Sequence, residues 1–365
     1  MTPRTVSFFG SSLLSAYWNG AATYFRGIIK ALHGRGFAVT FYEPDAFDRQ
    51  SHRDIEEPEW ATVRVYAGDG EEGVQRALEE GCRADIIVKA SGVGVHDRLL
   101  ERGVLVHAKP GSLVAFWDVD APATLERVLA DPGDPFRSDI PQYDFIFTYG
   151  GGSPVIDAYR ALGARLCIPI YNGLDPDTHQ RAEPDARFSA DLALLANRLP
   201  DREARIDEFF FTPARRSSDK TFLLAGNGWG DKELPPNVQY CGHLYTRDHN
   251  AFNSTPLAVL NVNRDSMARY GFSPATRVFE AAGAGACIIT DAFKGVEMFL
   301  EPEREILVAS TGEEVAELLR GLTPRRARQL GWAARSRVLA AHTYHHRVLE
   351  LERFLGAPRS EAVSA

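Results

Sequence analysis

Glu280 stands alone as an acid in the small, apolar helix-forming stretch Arg277–Ala282, which ends in Gly283-Ala284-Gly285-Ala286. Just upstream, Ser273-Pro274-Ala275-Thr276 carries a helix-start signal, with Ser273 as the expected N-cap and Pro274 in the first turn. Unpaired N–H groups at such a start favour an anion. Arg277, together with Arg198 from an earlier loop, could add fork-like donors to a phosphate. Glu280 would lie one to two turns below that anion, where a carboxylate can accept hydrogen bonds from ribose hydroxyls. The expectation is a nucleotide with its diphosphate at the helix start and its sugar on Glu280. A plain Arg277–Glu280 ion pair, three residues apart on one helix, is the competing reading.

Three strand ends in this half carry polar residues beyond what a turn requires. They are Asn197 and Arg198 in LLANRLPDRE, Asn227 and Gly228 in FLLAGNGWGDK, and Asn263, Arg264 and Tyr270 in NVNRDSMARYG. Asn and Gly are also ordinary turn residues, so their presence at successive strand ends carries the weight. In the first half, FFGSSLLSAYWNGAATYF reads as strand, small-residue loop and helix, which would let Ser11, Ser12, Asn19 and Gly20 face a ligand. Asp118 and Asp120 follow the apolar run Leu113–Trp117 and are the candidates for a general base. Trp117 could supply an apolar platform for an acceptor. Asp118-Val119-Asp120 also matches a short metal-binding pattern, although Pro122 fits a capped helix start instead. His342, His345 and His346 have helical spacing but no neighbouring Cys or acid to complete a metal set, so no metal site is expected.

The elements that must position these residues alternate between strand and helix. Strands are predicted at 6–9, 38–42, 85–88, 103–106 and 143–147, then at 191–195, 221–224, 237–240, 257–260, 287–290 and 305–308. Several are apolar on both faces, as in a buried parallel sheet. Helical patterns cover about 21–33, 201–211, 274–282 and nearly all of 324–354. In GAGA the glycines follow the helix and precede a strand, the reverse of a dinucleotide fingerprint. The fold class is therefore α/β, with two Rossmann-like parallel-sheet domains facing a central cleft. The expected division is 1–171, a polar linker 172–187, a nucleotide-binding domain 188–330, and a helical tail 331–365 returning to the first domain.

A chain of 365 residues with 44% hydrophobic content can bury two such cores. A net charge of −8 gives no support to nucleic-acid partners. No apolar run is long enough to span a bilayer and no signal peptide is evident, so a cytoplasmic location is expected. The four cysteines are far apart and read as reduced thiols.

With these residues in view, the chain resembles the CgeB-like glycosyltransferases of the spore-maturation-protein type, within the GT-B architecture. The matching pieces include SAYWNGAATYFRG, VAFWDVDAP, DLALLANRLPDREARIDEFF, FLLAGNGWG, YCGHLY and NVNRDSMARYGFSPATRVFEAAGAGACIITD. The resemblance implies transfer of a sugar from a nucleotide-sugar donor, a UDP-sugar foremost, without a resident cofactor or metal. It implies that Glu280 binds the ribose and Arg198 the diphosphate, and that backbone groups of Gly242-His243-Leu244 meet the base. The acceptor, whether glycan, protein or small molecule, is left open.

Two departures from the pattern stand out. Retaining enzymes of this architecture often carry two glutamates separated by seven residues, and the position before Glu280 at that spacing is Phe272. The lysine that often follows the clamp arginine is also missing, with Arg202 the nearest cation. Stereochemistry and the general base thus stay open. A nucleotide-sugar 2-epimerase of the same architecture and a catalytically silent nucleotide-binding protein are the alternative readings.

Overall fold

The structure, a computed structural model, describes residues 4–17 and 19–356. Two compact units divide the chain. The first combines Met1–Tyr171 with Tyr344–Ala365, and the second is Asn172–Thr343.

The first unit is built on seven strands: β1 (Thr5–Phe9), β2 (Ala38–Asp45), β3 (Thr62–Ala67), β4 (Ile86–Ala90), β5 (Leu113–Asp118), β6 (Phe145–Thr148) and β7 (Cys167–Pro169). Their order in the sheet is β3-β2-β1-β4-β5-β6-β7, and every pairing is parallel. β4, β5 and β6 are buried at every residue, which explains their largely apolar sequences. Chain connections leave β1 toward β2 on one side and later return to β4 on the other. The ends of β1 and β4 therefore flank the topological switch point, where open α/β sheets bind ligands.

Residues 103–106, expected as a strand, lie inside the helix Asp97–His107. Its buried Leu100, Gly103 and Val104 recur at helical spacing, while Val106 points to solvent. β-branched composition misled here, because a short apolar run does not distinguish strand from helix.

The last described helix, Tyr344–Leu355, belongs to this unit. It packs on the helix Ala22–Gly34, where a Cβ on Gly27 would stand 2.0 Å from the Tyr344 ring. Only glycine permits that approach. Arg35 and Glu352 add an ion pair at 2.9 Å.

The second unit holds β8 (Leu192–Leu195), β9 (Phe222–Ala225), β10 (Val238–Tyr240), β11 (Ala258–Asn261), β12 (Ile288–Asp291) and β13 (Leu307–Ala309). They form a parallel sheet in the order β10-β9-β8-β11-β12-β13. Here the switch point falls between β8 and β11. The polar segment 172–187, expected as a linker, is part of this unit, with Leu174 buried and its N–H donating to the His342 carbonyl at 2.8 Å. The long helical pattern near the end is two helices. Pro324–Ala341 stays with the second unit, since Gly331 lies so close to the Gly285 carbonyl that a Cβ would be 2.0 Å from its oxygen. The boundary therefore falls after Thr343 and not at 331, and residues 357–365 lie outside the described residues.

All four cysteines are free, with Cys82 and Cys287 buried and Cys241 exposed. Among the described residues no helix is long and apolar enough to cross a membrane.

Candidate functional site

At the carboxyl ends of β8, β9 and β10 the three loops are tied together through their backbones. Asn197 Oδ1 accepts from the Asn227 N–H at 2.9 Å, the Arg198 N–H donates to the Asn227 carbonyl at 2.9 Å, and the Gly226 N–H donates to the Gly242 carbonyl at 2.8 Å. Gly226, Gly228 and Gly242 all take positive φ, and a Cβ on Gly226 would meet the Ala196 carbonyl oxygen at 2.1 Å. Asn197, Arg198, Asn227, Gly228 and Gly242 thus form one connected edge. The following loop continues through exposed His243 and buried Leu244 into the helix Thr246–Ser254.

A second group gathers where that helix and its neighbour, Thr276–Gly283, meet the segment 172–187. Glu280 is 4% exposed, and three nitrogen-bearing side chains surround it. His179 Nε2 lies 3.6 Å from Glu280 Oε1, and Arg277 Nη1 lies 3.9 Å from Glu280 Oε2. His249 completes the group, its ring 6.1 Å from that of His179 and 24° off parallel. None of these contacts is a hydrogen bond. Both ring nitrogens of the buried His179, Nδ1 of His249 and Nη1 of Arg277 have no hydrogen-bond partner.

Burial pushes the Glu280 carboxyl up, but its neighbours His179, Arg277 and His249 outweigh it and hold it below the ordinary range. Burial pushes the His249 imidazole down to about 4, so that ring is neutral near pH 7. The result is an ionised acceptor beside four nitrogens that have no hydrogen-bond partner. Such a set can take hydroxyl groups, and His179, His249 and Glu280 also offer three ligand atoms within 4.8 Å of one another, the donor set of a zinc ion. The Arg277 guanidinium beside the same carboxylate opposes a divalent cation and favours hydroxyls.

The helix begins later than expected. Its N-cap is Ala275, without a side-chain cap, and Ser273 Oγ instead donates to the Gly271 carbonyl at 3.0 Å. Asn172 fixes the start from both sides, donating to the Pro274 carbonyl at 3.0 Å and accepting from Thr276 Oγ1 at 3.0 Å. Tyr270 ends the helix Asp265–Tyr270 and is followed by Gly271 and Phe272, both at positive φ. Arg198 is not a bare cation: Glu203 and Asp231 bind it at 2.8 and 2.9 Å. To clamp a diphosphate it would have to exchange one of them.

In the first unit most expected site residues are spent on structure. Asp118 is fully buried; its Oδ1 accepts from Thr124 Oγ1 and the Asp120 N–H, both at 3.0 Å, and its Oδ2 accepts from the Tyr159 hydroxyl. Burial raises the Asp118 carboxyl, which these bonds only partly counter. It is therefore a core anchor and not an exposed base. Asp120 is half-buried and directly precedes the helix Ala121–Ala130. Trp117 is no platform: it is buried, donating to the Tyr24 hydroxyl at 3.0 Å. Ser12 binds Glu43 at 3.1 Å, and Asn19 donates to the Ser12 and Ser15 carbonyls at 2.9 and 3.1 Å, so both are buried within their own loop. Gly20 is exposed with open space around it. His342 packs between Phe279 and Phe299, and His345 is exposed.

His179 and His249 escaped the sequence reading. They lie 70 positions apart, so no local spacing links them, and His179 sits in a stretch whose polarity reads as a linker.

Residues 202–353 match the family model described as glycosyl transferase-like. No curated protein sequence matches significantly. Among solved structures, sucrose-phosphate synthase from Thermosynechococcus elongatus is similar at a TM-score of 0.66 and 14% identity, covering 96% of this chain and 98% of that one. HepE of Anabaena, in complex with UDP-glucose, aligns at 0.65 and 10% identity over 96% and 99%. An alpha-glucosyltransferase in complex with UDP-glucose and DNA containing an abasic site aligns at 0.69 and 12% identity over 97% and 99%. The chain has the GT-B fold.

Proposed function

We propose that this protein is a glycosyltransferase that moves a hexose from a nucleotide sugar, a UDP-sugar foremost, to an acceptor, with no resident cofactor or metal. The observation that carries the reading is the Glu280 carboxylate, buried and ionised yet hydrogen-bonded by none of the nitrogens around it. A vicinal diol would use that carboxylate as acceptor and the unpartnered ring nitrogens of His179 and His249 as further partners. The glycosyl transferase-like match over 202–353 and the UDP-glucose complexes of structurally similar proteins support the same donor class.

In this reading the edge formed by Asn197, Asn227 and Gly242-His243-Leu244 contacts the base. The start of the helix at Thr276, with Arg277 and Arg198, stabilises the charge that develops on the leaving diphosphate. Asp118 is committed to the core, which leaves Asp120 or the leaving phosphate to receive the acceptor proton. CgeB-like membership and a cytoplasmic setting remain part of the proposal.

The test is a thermal-shift panel of UDP, GDP, dTDP, ADP and CMP with their sugars. A bound nucleotide raises the melting temperature by mass action. The expected result is stabilisation by UDP and UDP-hexoses that is lost in Glu280→Gln. Equal response to all five nucleotides, or none, overturns the donor assignment.

A further inference from the structure

We propose that the first unit carries an oxyanion-binding subsite built on Arg49, and that the acceptor therefore bears a carboxylate or phosphate. The word acceptor rests on the sugar-transfer reading above; the anion site itself does not.

Arg49 follows β2, yet its guanidinium reaches the switch point of the sheet. Nη1 donates to the Ser11 carbonyl at 3.2 Å, beyond β1, and to the Val93 carbonyl at 3.5 Å, beyond β4. Open α/β sheets place ligands between those two strand ends. The residue is only 8% exposed, and its buried Nε has no acceptor. A guanidinium left this way desolvates a donor without return unless something else uses it.

The nearest buried acid does not fill that role. Glu43 spends Oε1 on Ser12 Oγ at 3.1 Å and Gln50 Nε2 at 2.7 Å, and Oε2 on the Leu13 and Leu14 N–H groups at 2.5 and 3.4 Å. No carboxylate lies within ion-pair distance of Arg49 among the described residues, so Glu43 compensates its charge only from a distance.

The backbone around Arg49 is held in uncommon conformations. Phe47 has φ of 57°, which bulky residues rarely adopt, so the structure must hold it there, and Asp48 follows at the same φ. The Phe47 ring lies 4.9 Å from the Arg49 carbon and is 56% exposed. Opposite, Gly94 has φ of 98°, and a Cβ there would stand 2.6 Å from the same ring. An exposed aromatic face beside a buried cation suits a sugar or similar flat body carrying one anionic group.

Inorganic phosphate, acetate, glucose 6-phosphate, glucuronate and glucose would be titrated against the full-length protein by calorimetry, with UDP as a parallel control. The expected result is millimolar or tighter binding of glucose 6-phosphate or glucuronate and none of glucose. The phosphate and acetate arms distinguish a phosphate from a carboxylate site. Arg49→Gln should weaken the preferred anion at least tenfold and leave UDP affinity unchanged, while Arg49→Lys retains part of the binding. Wild-type protein that binds none of the anions overturns the inference, and so does anion binding that persists at full strength in either variant shown to be folded. A variant that fails to fold leaves the wild-type preference for charged over neutral sugars to decide. Loss of UDP binding in wild-type protein would instead strike the donor reading alone.

Discussion

Each unit gathers a buried group of polar side chains, but the two groups are built in opposite ways. In the first unit the polar side chains bond to each other: Ser12 to Glu43, Asn19 to its own loop, Asp118 to Tyr159 and Thr124. In the second unit Glu280, His179, His249 and Arg277 come together without a hydrogen bond among them. A polar residue at a strand end is therefore no evidence of a ligand until its partners are known. A buried polar group that proteins normally satisfy, here left unsatisfied, is the stronger signal.

The comparison breaks most sharply at Asp118. If its bonds are structural, Asp118→Ala strands the Tyr159 hydroxyl in the core and leaves the Thr124 hydroxyl only its longer bond to the Asp120 carbonyl at 3.3 Å. The expected loss is about 3–5 kcal/mol of unfolding free energy in urea titrations, as for a buried network missing one partner. A folded Asp118→Ala protein of near-normal stability but abolished turnover would return Asp118 to catalysis.

In the second unit the equivalent test is Glu280→Gln. The side chain keeps its size but loses charge-assisted bonds, so UDP affinity should fall by about 1.5–3 kcal/mol, roughly 10–150-fold. Stability should change less than in Asp118→Ala, because among the described residues no hydrogen bond depends on the Glu280 side chain. An unchanged affinity in calorimetry would leave the carboxylate as a partner of Arg277 and His179 only.

These two residues also mark how far the sequence could be read. The α/β class and most strands follow from apolar runs of four or five residues, and the donor-side helix from its pattern of small and apolar positions. Ser273 was misread as a cap because Pro274 resembles a first-turn proline, whereas Asn172, 104 residues before Thr276, fixes the actual start. Asp118, Trp117 and Asn19 were misread because local sequence shows residue type but not partner. His179 and Arg49 act through contacts at distant positions, and one chain without its fold carries no trace of them.

A smaller effect should appear with pH. The His249 imidazole is pushed down to about 4 in the folded protein, against about 6.5 in an unfolded chain. The unfolded state then binds the proton first, so stability is complete above pH 6.5 and falls as the pH drops toward 4. Between pH 7 and pH 5 this group should remove about 1–2 kcal/mol. His249→Gln should flatten that part of the stability profile. A profile equally steep in the variant would assign the acid sensitivity elsewhere.

The smallest expected effect concerns metal ions. Asp118 and Asp120 do not act as an open metal pair, since Asp118 is bonded on both oxygens. The His179, His249 and Glu280 atoms are close enough for a cation, so the second unit could overturn its own reading there. Arg277 argues against it: a divalent ion on Glu280 would sit beside a guanidinium only 3.9 Å from the same carboxylate. Chelation with EDTA should therefore leave UDP affinity and transfer within twofold of the untreated protein, and metal analysis should find well under one equivalent of zinc. One tightly held equivalent, lost in His179→Ala and in Glu280→Gln alike, would make this cluster a metal centre and move the ribose elsewhere. The contrast between the two sheets would survive that result, because the unpaired nitrogens would still have marked a ligand, but the ligand would be an ion.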